Sequence, residues 1–122
     1  MKDHTETLVE IMLRAEKFCA SIESASQDVA PNPEKEQFRA KLGFCRTQLS
    51  HLQKIHDRSQ LTIQNPRVRE GFRHLIIGLM WVAFYAREAV NYRTYRMIVM
   101  IESSFTYVLL NSIPKFKSNG SS

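Results

Sequence analysis

The stretch from Phe38 to His56, FRAKLGFCRTQLSHLQKIH, sets Phe38, Leu42, Cys45, Leu49, Leu52 and His56 at alternating intervals of four and three residues. That alternation is a helical seam, and it suits packing against a neighbouring helix. Just upstream, Asn32 precedes Pro33, Glu34 and Glu36. This is an N-cap, a proline at the first helical position and acids at the positive end of the helix dipole. A helix therefore starts at Pro33, with Arg39, Arg46, Lys54 and Arg58 on its polar flank.

Outward from this seam the same reading finds three more helices. Leu8, Ile11, Met12, Ala15, Phe18, Cys19, Ile22 and Ala25 repeat with helical period, and Asp3 with Glu6 offers a capping box, so a first helix is expected from Thr5 to Ser26. Asp28–Pro33 holds two prolines and reads as a linker. Asn65-Pro66 repeats the cap-then-proline device. A third helix is expected from Pro66 to Val90, with a core stripe of Val68, Phe72, Leu75, Ile76, Leu79, Ala83, Ala86 and Val90. Asn91–Thr94 reads as a break, and Tyr95–Ser112 as a fourth helix stopped by Pro114. Tyr92, Tyr95, Ile98, Val99, Ile101, Phe105, Tyr107 and Val108 are also strand formers. A β-hairpin across Glu102-Ser-Ser104 is therefore the alternative for this last segment.

The expectation is one small, soluble, all-α domain built like a four-helix bundle over residues 1–114, with a flexible tail at 115–122. A chain of 122 residues with 43% hydrophobic content can bury one core. The two cysteines fall at apolar helical positions, as reduced buried thiols do. Met1–Glu10 is polar and of mixed charge, unlike a secretion signal, so a cytoplasmic or nuclear location is expected. Leu75–Ala86 is uniformly apolar or small but flanked by His74 and Arg87, too short to cross a bilayer.

Charge divides the chain. Residues 1–36 hold four basic and eight acidic side chains, net −4; residues 37–122 hold thirteen and four, net +9. Either the first helix lies against a basic neighbour, or a basic face is open to an anionic partner. Arginines interleave with aromatics in two places, Arg67, Arg69, Phe72 and Arg73, then Tyr92, Arg93, Tyr95 and Arg96. Guanidinium groups neutralise phosphate and rings stack on bases, so Arg67, Arg69, Arg73, Tyr92, Arg93, Tyr95 and Arg96 are candidate RNA contacts. His51 and His56 lie five apart, about 140° around a helix, and do not converge on a metal. His56 reads as a core histidine. No cofactor, metal or small-molecule ligand is expected.

Arg69-Glu-Gly-Phe-Arg-His74 and Arg46-Thr-Gln-Leu-Ser-His51 each place a histidine five residues after an arginine on a predicted helix. The pattern resembles the motif of the HEPN superfamily, an all-helical fold whose members include metal-independent ribonucleases. The resemblance implies that Arg69 would stabilise phosphate charge and that His74 would act as general acid or base on the RNA 2′-hydroxyl. It covers six residues at each place, and Glu70 and Thr47 stand where active members usually carry Asn, Asp or His.

The leading expectation is a non-enzymatic interaction protein that self-associates or meets a partner protein. Ile77, Trp81 and Phe84 form a second stripe on the third helix, at i, i+4 and i+7 and apart from its core stripe. These three residues are the candidate interface unless the first or fourth helix covers them. The alternative is the Arg69–His74 ribonuclease.

Overall fold

The computed structural model describes residues 4–112. It consists of α1 (His4–Ala25), a short 3-10 turn (Ser26–Asp28), α2 (Pro33–Asp57), α3 (Pro66–Ala86) and α4 (Tyr92–Ser112). The fold is an all-α bundle with no strand among the described residues. Asp3, Pro114 and the expected tail at 115–122 lie outside them.

Local chemistry sets the helix starts. Asn32 Oδ1 accepts from the Lys35 amide at 2.8 Å, and Asn65 Oδ1 accepts from the Arg67 amide at 3.0 Å, each just before a proline that has no amide hydrogen to lose. Asn91 plays the same part without a proline. Its Oδ1 accepts from the Thr94 amide at 2.9 Å, so α4 begins at Tyr92 rather than Tyr95, and the expected break is in fact a cap. α3 stops at Ala86, short of Val90, because the Ala89 and Val90 amides both turn back to the Ala86 carbonyl. α2 ends at Asp57, and Ser59 follows in the left-handed region at φ 58°.

The hairpin alternative gives way to a single helix running through Glu102-Ser-Ser104. Ile98, Phe105 and Leu109 are the buried residues of this helix, and they recur at helical, not alternating, spacing. Packing of that face overrides the strand preference of the β-branched side chains.

Of the helix pairs, α2 and α3 make the most extensive contact, α1 packs on α2, α4 on α3, and α1 on α4. Phe18 and Phe105 close the ring of helices edge to face at 6.2 Å. The expected seam of α2 is buried from Phe38 to Leu52. His56, in the last turn of α2, is only half-buried. Lys35 is buried and donates from Nζ to the Val29 carbonyl at 2.5 Å, holding the linker against α2. Asn32 Nδ2 donates to the Glu88 carbonyl at 2.8 Å and so ties the same linker to the α3–α4 turn.

Among the described residues one ion pair joins two helices, Arg46 of α2 with Glu23 of α1. The acidic first helix thus packs on its basic neighbour with that one ion pair between their described residues. No helix among the described residues is long and apolar enough to cross a membrane. The apolar run Leu75–Ala86 is divided between a buried side and an exposed one.

Candidate functional site

The exposed side of that run is an aromatic patch. Ile77 and Trp81 are each 43% exposed and Phe84 68%, with Met80 beside them at 52%. α3 turns its core stripe toward α2 and α4, and no other helix among the described residues covers the opposite side. The rings pack on one another. Trp81 stacks on Tyr85 at 5.8 Å and meets Phe84 edge-on at 5.8 Å, while Phe84 and Tyr85 stand edge-on at 5.1 Å. Lys41 of α2 sets its ammonium 5.4 Å from the Trp81 ring, a cation–π contact that holds the indole in place.

Toward the other end of α3 the same face becomes polar. Glu70, His74, Ile77, Trp81 and Phe84 recur at intervals of four and three, and the Phe44 ring of α2 lies 6.3 Å from the His74 ring, joining the two regions. Between α2 and α3 here lies a cleft of about 410 Å³. Leu52, Ile55 and Gly71 form its apolar part, and His51, Lys54, Arg58, Arg67, Glu70 and His74 line it. Glu70 Oε1 sits 3.1 Å from His74 Nε2. Lys54, Arg58 and Arg67 enter no ion pair among the described residues.

The structure divides the residues singled out in the sequence. Arg69 donates from Nη1 to the Ile63 carbonyl at 2.9 Å and so ties down the α2–α3 loop, whereas His74 faces the cleft. Five residues apart on one helix, the two side chains leave the α3 axis about 140° apart. Arg46, engaged with Glu23, is likewise separated from His51, which lines the cleft. Arg67 reaches the cleft, while Arg73 is exposed beside the aromatic face, 4.0 Å from Glu70. Tyr92, Arg93 and Arg96 line a separate shallow groove on α4, Arg96 lying over the Tyr92 ring at 6.0 Å, and Tyr95 is half-buried against the core. The basic–aromatic set is thus two clusters at opposite ends of α3, whose 21 residues span roughly 30 Å.

Cleft residues that the sequence reading did not join are His51, Lys54 and Arg58. They recur at i, i+3 and i+7 on α2, as Arg67, Glu70 and His74 do on α3. Those two matching triplets were the available signal, and their meeting depends on helix register.

Cys19 and Cys45 are free and fully buried. Burial pushes the Cys19 thiol up to about 11, and burial followed by the neighbouring Cys19 pushes Cys45 up to about 12. Neither is a thiolate nucleophile near neutral pH. Among the described residues, no group of three or more His, Cys, Asp or Glu is placed to hold a metal ion.

No protein-family model, curated protein or solved structure matches this chain. The class is set by the fold alone, a four-helix all-α bundle, and the likeness to the HEPN motif stays confined to two six-residue stretches.

Proposed function

We propose that this protein is a non-enzymatic helical interaction protein that pairs with a second copy of itself through the outer face of α3. The observation that carries the reading is the joint exposure of Ile77, Trp81 and Phe84 on one helix face. Contiguous exposed apolar surface of this kind marks association sites, and clustered aromatics concentrate association energy.

The occupant follows from the layout of the face. Around its centre at Met80 and Trp81 the pattern is self-complementary. Two copies of α3 laid antiparallel set Ile77 of each against Phe84 of the other, and bring Arg73 of each to the turn after α3 that carries Glu88 of the other. Arg73 and Glu88 are both exposed, and the Glu88 turn is anchored through its carbonyl by Asn32. A two-fold interface of this kind satisfies every contact twice.

Sedimentation of the wild type, Trp81→Ala, Arg73→Glu, Glu88→Arg and the double variant R73E/E88R tests it, with circular dichroism reporting the fold. Expected are a concentration-dependent dimer for the wild type, a folded monomer for Trp81→Ala, weaker dimers for each single charge reversal and recovery in the double variant. A wild type that is monomeric at high concentration would overturn the proposal, as would a dimer indifferent to these changes.

A further inference from the structure

The α2/α3 cleft is a second feature, and its reading does not depend on pairing through the aromatic face. Lys54 and Arg58 from the end of α2 and Arg67 from the start of α3 bring three cations to one concavity, and no ion pair among the described residues occupies them. The first turn of α3 opens beside Arg67 and carries no acidic residue, so the positive end of its dipole adds to the same field. Glu70 is the one acid lining the cleft, and its Oε1 sits 3.1 Å from His74 Nε2. His51, which lines the same cleft, adds a ring N–H donor.

At about 410 Å³ the cleft lies in the range of small-molecule sites and far exceeds a bare phosphate. Half-buried Ile55, beside the exposed stems of Lys54 and Arg58, is the apolar surface the cleft offers an attached ring. The geometry points to a nucleotide site: Arg58, Arg67 and Lys54 hold the phosphate of a nucleoside monophosphate, and the nucleoside rests on the apolar part beside His51 and His74. Arginine suits this role because its planar fork meets phosphate oxygens two at a time.

The phosphate can come from a free nucleotide or from the end of a single strand, and one set of titrations separates the two. The full chain is titrated at low salt with 5′-AMP, adenosine, and a short single-stranded RNA with and without a 5′-phosphate, by calorimetry and by NMR of the histidine rings. Expected is saturable AMP binding that shifts the His51 and His74 ring signals and weakens steeply with salt, with adenosine at least about tenfold weaker. Tight binding of the phosphorylated RNA but not its dephosphorylated form assigns the site to a strand end, and binding of AMP alone assigns it to a free nucleotide; both support a phosphate in the cleft.

Arg58→Glu with Arg67→Glu is expected to lower AMP affinity by about tenfold or more, since a charge-assisted pair is replaced by repulsion. Both side chains are exposed, so the fold survives the change. Arg93→Glu with Arg96→Glu, the same charge change in the separate groove on α4, is expected to leave AMP affinity as it was. The proposal is overturned by adenosine binding as well as AMP, by no saturation at millimolar AMP, or by equal losses in the two double variants, which would reveal only a general field.

Discussion

Gly78 of α3 and Cys45 of α2 meet so closely that a β-carbon on the glycine would stand 2.7 Å from the cysteine sulfur. One heptad earlier on α3, a β-carbon on Gly71 would stand 2.8 Å from Leu52 Cδ2. The two glycines therefore set the spacing and the antiparallel register of α2 on α3. That register brings Arg67, Glu70 and His74 opposite His51, Lys54 and Arg58, and Trp81 beside Lys41.

Gly78→Ala is expected to destabilise the protein by about 1–2 kcal/mol. The roughly 1 kcal/mol that alanine gains over glycine in a helix is outweighed by overpacking against Cys45 Sγ and the Phe44 ring at 2.9 Å. Gly43 is the control, because a β-carbon there meets nothing within 4 Å. Gly43→Ala should stabilise by about 0.5–1 kcal/mol. Urea unfolding of both variants checks the pair, and a stabilised Gly78→Ala would contradict the close approach.

The buried thiols make stability depend on alkaline pH. The native values of about 11 for Cys19 and about 12 for Cys45 stand above the ordinary 9.0, so the unfolded chain releases these protons first. Their contribution is fully present below pH 9 and is lost as pH rises through 9 toward 11–12, by at most roughly 1.4 kcal/mol per pH unit for each thiol. Native protein at pH 8 should resist a thiol reagent and react on unfolding. Fast native labelling of both cysteines would contradict their burial.

Labelled single-stranded RNA incubated with the protein in EDTA is expected to remain intact. The expectation rests on Arg69, whose guanidinium donates to the Ile63 carbonyl on a side of α3 about 140° from His74. Cleavage that disappears in His74→Ala would restore the ribonuclease reading in place of the interaction protein.

Helix identity was legible because its determinants are local. Asn32-Pro33 and Asn65-Pro66 announce helix starts through two adjacent residues, and the seam from Phe38 to Leu52 shows its buried side by spacing alone. The start at Tyr92 was missed because Asn91 caps without a following proline, leaving a lone asparagine that reads equally as a loop. The end of α3 was overrun by four residues because Ala89 and Val90 are buried in the turn that follows Ala86 and so continue the apolar pattern.

The candidate sites divide along the same line. That Ile77, Trp81 and Phe84 share a stripe apart from the core is periodicity, and the sequence determined it. Whether another helix would cover them was a matter of arrangement, settled only when α3 was placed between α2 and α4 with that side outward. Likewise the sequence determined that Arg69 and His74 lie five apart, but only the fold engaged Arg69 with a loop carbonyl and set His74 beside a cleft shared with α2. Period and capping act over one helical turn and are written in consecutive residues. Exposure and convergence depend on how far two helices can approach and in what register, and that was decided by the contacts Gly71 and Gly78 make across the α2/α3 interface.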